Sequence, residues 1–287
     1  MPELPEVETT RAGIAPYLEN ERIQSVNTYT DKLRQPLDLQ KLKELCGRRI
    51  LRIERRGKHL LLHTDEAKQV LHIHLGMSGS LRITDSHTPL KKHDHFIVTL
   101  KNGKQLRYHD PRRFGLIAIL NSDDFPSSLT SLGLEPLSEA FSGNKLYLQT
   151  RGKTGAIKNH IMNQKYLVGV GNIYATEALF HSHIHPARCA DSLSHAECEK
   201  LNRQIKNVLQ AAIEQGGTTL RDFLHPDGTH GYFSQTLSIY GKAGQPCPIC
   251  RETLQSERIG GRSSVFCLSC QPLACRKSNK VHKKMTK

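Results

Sequence analysis

The 287-residue chain is short of several things at once. It has no apolar run approaching the roughly 18 residues that a membrane helix requires. Its N-terminus, Met1-Pro2-Glu3, lacks the basic and then apolar character of a secretory leader. Acids are scarce, with 27 Asp and Glu against 41 Lys and Arg, so the formal net charge is +14. No internal repeat is visible. These absences argue against a membrane protein and an exported one, and the expected location is cytoplasmic, in association with the nucleoid. The positive surplus says little about fold but points to a polyanionic partner. Eight cysteines in a reducing compartment do not read as a disulfide framework. The length suffices for one large or two medium domains, each with its own core.

Apolar spacing divides the chain. Residues 5–19 read as a helix with Val7, Ile14 and Leu18 as apolar points, and residues 39–46 as a short helix stopped by Gly47. From 49 to 120 the pattern is strand. Leu71, Ile73 and Leu75 alternate with His72 and His74, and Asn102-Gly103 is a turn signal. Asp123, Pro126, Ser127 and Ser128 suggest a linker. Residues 129–223 read mostly as helix. The clearest segment starts at Ser194, with Glu197 completing a capping box. Leu201, Ile205, Val208, Ala212 and Ile213 form its apolar stripe, and Gly216-Gly217 ends it. A loop with His225, His230, Tyr232 and Phe233 follows, then a cysteine module. The stretch 271–287 has six cations and no acid, which reads as a basic tail.

Several motifs carry chemistry. Cys247-x2-Cys250-x16-Cys267-x2-Cys270 fits one structural Zn2+ held by four thiolates, with no position left open for catalysis. Leu254, Val265 and Phe266 suggest a hairpin in its loop, with Arg258 and Arg262 near the tip. Cys46, Cys189 and Cys198 lack metal spacing and read as ordinary helix or loop residues. Removal of Met1 exposes Pro2 as a secondary amine next to the Glu3 carboxylate. Such an amine can attack a sugar C1′ and titrates near pH 8, although the same residues also suit a plain acidic helix start. Segment 48–58 has six cations and one acid. A solvated strand face is its ordinary explanation, while Lys58 at a strand edge can face phosphate or act as an acid–base group. His109-Asp110-Pro111-Arg112-Arg113-Phe114-Gly115 puts two guanidiniums and an aromatic on one turn, suited to gripping phosphates and wedging a base stack. Met77 protrudes from another turn between Gly76 and Gly79. Gly169-Val170-Gly171-Asn172 precedes a helix that Asn172 is expected to cap, leaving N–H groups free for a phosphate.

Together these blocks resemble the bacterial formamidopyrimidine-DNA glycosylase family. The matching stretches are MPELPEVET (1–9), RRGKHLLL (55–62), HLGMSGSL (74–81), KHDH (92–95), DPRRFG (110–115), VGVGNIYA (168–175), QGGTTL (215–220) and the cysteine module. Endonuclease VIII-type relatives carry Gly where this chain has Leu4, which favours the oxidised-purine branch. The resemblance implies an α+β fold: an N-terminal β-sandwich flanked by helices and a C-terminal helix-two-turn-helix domain with a zinc β-hairpin finger. The boundaries it suggests are 1–121, 129–236 and 237–271, with a tail over 272–287. It implies that Pro2 attacks C1′ and that Glu3 handles protons at the sugar. Lys58 and Arg262 assist in phosphate contact and elimination. Met77, Arg112 and Phe114 fill the gap left by a flipped nucleotide. His93, Arg113, Lys153 and Asn172 contact DNA. The implied partner is damaged double-stranded DNA, bound by a monomer, without a membrane. Asn163 departs from the family's usual Asp, and the loop at 221–236 does not match closely. Two other readings stay open: a zinc-dependent nucleic-acid binder without chemistry, and a glycosylase for oxidised pyrimidines.

Overall fold

A computed structural model describes residues 2–121, 123, 125–217 and 237–273. The loop histidines and aromatics at 225–233, Cys275 and the tail beyond Leu273 lie outside the described residues. Helix α1 (Leu4–Leu18) buries Leu4, Val7, Ile14 and Leu18 completely. Pro16 falls inside its last turn, and the helix stops two residues later. The helix packs on the strands and on the long helix of the C-terminal half, so it joins both halves.

Eight strands then build two four-stranded antiparallel sheets. The strands are β1 (Ile23–Thr28), β2 (Ile50–Arg56), β3 (His59–Thr64), β4 (Gln69–His74), β5 (Ser80–Asp85), β6 (Asp94–Leu100), β7 (Lys104–His109) and β8 (Leu116–Asn121). One sheet runs β1-β6-β7-β5 and the other β2-β3-β4-β8. A short helix α2 (Leu39–Lys43) follows β1. The inner faces meet in one core that includes Ile53, Leu60, Leu62, Leu71, Phe96, Val98 and Leu106. The alternation read in β4 is incomplete, because His72 is buried rather than solvated. The outer face of this sheet is itself covered: Leu61 and Val70 pack against Leu129, Phe125 and Leu132 of the following segment. That segment contains a turn of helix, α3 (Ser127–Thr130), where a plain linker is expected from the sequence.

The C-terminal half is helical. Its elements are α4 (Gly143–Thr150), α5 (Ile157–Ile161), α6 (Asn172–Ser182) and α7 (His195–Glu214). The capping box forms as expected. Ser194 Oγ accepts from the Glu197 amide at 3.2 Å, and Glu197 Oε2 accepts from the Ser194 amide at 2.8 Å. The buried stripe is Leu201, Ile205, Val208 and Ala212, completed by Cys198 and Leu209, while Ile213 is only half-buried. Strands β9 (Gln255–Ile259) and β10 (Arg262–Phe266) pair as a hairpin across Gly260-Gly261. Its core of Leu254, Val265, Cys247 and Cys267 packs on Phe180 of α6.

Candidate active site

The centre of the site is the first turn of α6. Glu3 is 3% exposed and sends its carboxylate onto that helix end. Its oxygens accept from the amides of Gly171 (2.8 Å), Ile173 (3.0 Å) and Tyr174 (3.4 Å). A helix N-terminus holds anions through its unpaired N–H groups and its dipole. Here the anion is the chain's own carboxylate, delivered from 168 positions away. Gly171 permits the approach, since a Cβ there collides with the Glu3 carboxyl. This corrects one expectation. The residue at the cap position is Gly171, not Asn172, and the N–H groups reserved for a phosphate are taken. Asn172 Nδ2 instead donates to the Ser263 carbonyl at 3.0 Å, tying α6 to the hairpin.

Pro2 is buried beside Glu3. Glu6 receives the Glu3 amide at 2.8 Å and the Tyr174 hydroxyl, which fixes the chain start against α6. Lys58 lies between β2 and β3 and is 7% exposed, so it is not a solvated strand-edge group. Burial raises the Glu3 carboxyl above the usual range; the charge of Lys58 pulls it back, and Glu6 adds to the rise. Burial likewise lowers the Lys58 ammonium, against the attraction of Glu3 and Glu6 and with the repulsion of Arg262. Both groups are therefore easier to neutralise than their exposed counterparts, which suits proton transfer. A cleft of about 200 Å3 opens beside them, lined among others by Arg34, Lys58, His74, Gln164, Gly171 and Arg262. His59 also lines it and packs with tilted rings against both His74 and His72, its Nδ1 2.8 Å from His72 Nε2. Burial takes all three histidines to a pKa of about 3, so they stay neutral.

Arg262 is exposed at the start of β10, as the spacing of the cysteine module suggests. A second lysine sits behind it. Lys158 is fully buried, donates to Ser264 Oγ at 2.6 Å, and is lowered to about 8, chiefly by burial. Sequence reading misses Lys158 because α5 has only five residues, too few for a periodic signal.

Two turns present the other expected side chains. Met77 and Phe114 are exposed, at 39% and 45%, as the turns predict. Arg112 and Arg113 are exposed beside them, and Arg112 lies 4.9 Å from the Phe114 ring centroid. Buried Asp110 joins the two turns: it accepts from Ser78 Oγ at 2.6 Å and from the Gly115 amide at 2.9 Å. His93 is half-buried, with the rings of His95 and His109 each at 5.9 Å. Lys153 is exposed, with its Nζ 5.8 Å from the Tyr166 ring centroid.

The basic segment 48–58 departs from a solvated face. Arg48 and Arg52 are surface groups paired with Glu66 and Glu54. Arg55 and Arg56 turn inward onto Glu135, at 2.8 and 3.0 Å. Only part of the cluster is available to an outside polyanion.

The sulfurs of Cys247, Cys250, Cys267 and Cys270 all lie within 4.8 Å of one another, with Cys250 and Cys267 at 3.4 Å and Cys247 and Cys270 at 3.9 Å. Zn–S bonds of about 2.3 Å in a tetrahedron place the sulfurs about 3.8 Å apart, so the four residues fit one zinc ion as its complete donor set. Cys46, Cys189 and Cys198 lie outside this group.

Comparison with known proteins agrees with this geometry. Residues 1–117 match the formamidopyrimidine-DNA glycosylase N-terminal domain, 132–224 the H2TH domain of the same enzyme, and 244–273 the zinc finger found in FPG and IleRS. A formamidopyrimidine-DNA glycosylase of Hydrogenovibrio crunogenus is 51% identical over 272 residues, 94% of this chain and 96% of that relative. One from Vibrio vulnificus is 50% identical over 271 residues, 94% of this chain and all of the relative. Among solved structures, the MutM (Fpg) protein of Thermus thermophilus superposes with a TM-score of 0.85 at 37% identity, covering 96% of this chain and all of the other. A Lactococcus lactis Fpg mutant complexed with Fapy-dG-containing DNA gives 0.86 at 32%, covering 94% and 100%. With matches to all three parts of the architecture and half of its residues identical to the curated relatives, the chain belongs to the formamidopyrimidine-DNA glycosylase family.

Proposed function

We propose that this protein is a bifunctional DNA repair glycosylase. It excises oxidised purines such as 8-oxoguanine and formamidopyrimidines from double-stranded DNA, then cleaves the strand at the abasic site by β- and δ-elimination. The observation that carries the reading is the Glu3 carboxyl, pinned to the first turn of α6 next to Pro2 and within the field of buried Lys58.

In this scheme, removal of Met1 frees the Pro2 nitrogen, a secondary amine that is partly neutral at physiological pH. It attacks C1′, the glycosidic bond breaks, and the base leaves with the electron pair and takes up a proton. The nitrogen gives up its proton, the C1′–O4′ bond breaks as O4′ is protonated, and the ring-opened iminium that forms acidifies the C2′ proton, whose loss expels the 3′ phosphate. A second elimination releases the 5′ phosphate. Glu3, with its raised pKa, moves protons at the sugar. Lys58 acts chiefly in base loss, and Arg262 grips phosphate and assists the eliminations. Extrusion of the base costs a few kcal/mol of unstacking. Met77, Arg112 and Phe114 offset it by filling the gap, with Arg112 toward the orphaned cytosine. His93, Arg113, Lys153 and Asn172 complete the DNA contacts, Asn172 through the surface it shares with the hairpin.

The division of labour follows the architecture. Residues 1–121 carry catalysis, 129–236 and the finger at 237–271 grip the duplex, and 272–287 add non-specific affinity to a monomer. The zinc stabilises the finger and takes no part in bond making. Borohydride trapping tests the scheme. A duplex with 8-oxoguanine opposite cytosine is expected to give a one-to-one covalent complex whose adduct maps to Pro2. Undiminished trapping by Pro2→Gly, or an adduct on a lysine, refutes it.

A further inference from the structure

Lys58 occupies an uncomfortable place. It follows Gly57, whose φ of +57° shapes a tight turn between β2 and β3, and its ammonium is buried. A lysine on such a turn gains solvation by swinging outward, so something must hold the turn in place. The structure holds it from one residue. Glu135 Oε1 accepts from the Gly57 amide at 2.7 Å and from Arg56 Nη1 at 3.0 Å, and its Oε2 accepts from Arg55 Nη1 at 2.8 Å. The same Arg55 Nη1 reaches the Gly57 carbonyl at 3.2 Å, and Arg55 Nε reaches Glu8 at 2.8 Å. Arg56 Nη2 donates to the carbonyls of Leu132 and Gly133. Both backbone polar groups of Gly57 are thus tied to one ionic cluster.

The other side of the clamp is equally anchored. The stretch carrying Glu135 pairs with residues 164–168. The Gly133 amide donates to the Gln164 carbonyl (2.8 Å), the Leu134 amide to Tyr166 (3.1 Å) and the Val168 amide back to Leu134 (3.0 Å). Val168 also backs Gly57, standing 3.0 Å from where a Cβ would lie. The Gly169 carbonyl receives the Leu4 amide at 3.0 Å. One continuous piece of the helical half therefore supports both the lysine turn and the chain start.

We propose that Glu135 is a positioning residue for the reaction. By clamping Arg55, Arg56 and Gly57 onto the helical half, it sets the height of Lys58 in the cleft relative to Glu3. Glu135 is not among the residues lining that cleft, so its action is indirect. The inference rests on the role of Lys58 given above, and a double-mutant cycle tests the two separately. Excision of 8-oxoguanine is measured under single turnover for the parent, Lys58→Ala, Glu135→Ala and the double variant. Binding of a duplex carrying a tetrahydrofuran abasic analogue is measured alongside.

Glu135→Ala is expected to slow excision about 10-fold while changing Kd by less than about 3-fold, and the double variant to fall within about 2-fold of Lys58→Ala. Glu135→Gln, which keeps a carbonyl for the Gly57 amide, is expected to recover part of the rate. If the alanine variant does not fold, the cycle runs with Glu135→Gln and the same non-additivity is required. Losses that multiply overturn the clamp but leave the role of Lys58 standing. A parental rate for Glu135→Ala also overturns the clamp. A parental rate for Lys58→Ala removes the role of Lys58 and the clamp together.

Discussion

Two turns of the β-sandwich carry an Arg-Arg pair, and they have opposite fates. At 55–58 the sequence Arg-Arg-Gly-Lys turns inward, with Arg55 and Arg56 ion-paired to Glu135 and Lys58 buried. At 112–115 the sequence Arg-Arg-Phe-Gly stays exposed, and neither guanidinium has an ion pair among the described residues. Local composition does not separate them. Carboxylates from elsewhere do. Glu8 and Glu135 reach the first turn, whereas the buried carboxylate of the second, Asp110, spends its oxygens on Ser78, Tyr108 and the Gly115 amide. The first turn is built to position one cation and the second to leave its cations free. In the proposed scheme the first turn belongs to the chemical apparatus and the second to the surface offered to DNA.

The largest effect expected from this contrast belongs to Lys58. Lys58→Ala is expected to lose about 100-fold in excision of 8-oxoguanine, the low end of what acid–base groups contribute. It retains more activity on a preformed abasic site, where no base must leave. Arg112→Ala and Arg113→Ala are expected to weaken both reactions through binding. Denaturing gels of single-turnover products on the two substrates separate these outcomes. Equal loss on both substrates for Lys58→Ala would make it a group that binds DNA without a part in base loss.

A smaller effect, on stability, comes from the other buried cation. Lys158 is lowered to about 8 from an ordinary 10.5, chiefly because burial penalises its charge. Between those values the unfolded chain binds the proton and the folded chain does not, so stability rises with pH across the window. Below pH 8 both states are protonated and the full penalty applies. Relative to Lys158→Met, the parent is therefore expected to gain up to about 3 kcal/mol from pH 8 to 10.5. Denaturant titrations of both proteins at several pH values read this directly, and parallel curves would mean that the ammonium is not desolvated.

What the sequence makes legible follows the range of the interactions involved. The zinc ligands are readable because each Cys-x2-Cys knuckle is local. Helix α7 is readable because its cap and its stripe fall within one element of 20 residues. Glu3 and Lys58 stand out in the sequence and take their roles from the resemblance, but their anchors are not legible there. Glu3 bonds to amides 168 to 171 positions away, and Glu135 to partners 78 to 80 away. No periodicity carries such information. His72 misleads for a related reason: alternation marks a solvated face only while that face stays uncovered, and here Leu129 and Phe125 lie over the outer face of the sheet. Asn172 misleads because helix-end amides attract any anion, and here the Glu3 carboxylate already occupies those of Gly171, Ile173 and Tyr174.

The finest test of the contrast is the salt dependence of duplex binding. Each protein cation that neutralises a DNA phosphate releases condensed counterions, and deleting one such cation changes the slope of log K against log salt by about 0.9. Arg113 is exposed and without an ion pair among the described residues, so Arg113→Ala is expected to flatten the slope by about that amount. Arg55 is already neutralised by Glu8 and Glu135, and its side chain is only 12% exposed. Arg55→Ala is therefore expected to leave the slope unchanged, whatever it does to the rate. Phe114→Ala serves as the uncharged control: it removes the proposed wedge and is expected to impair extrusion with no change of slope. Titrations with an abasic-analogue duplex at four or five salt concentrations resolve a difference of this size. A flattened slope for Arg55→Ala would show that its ion pairs open when DNA arrives, and the inward-facing turn would then belong to the DNA surface after all.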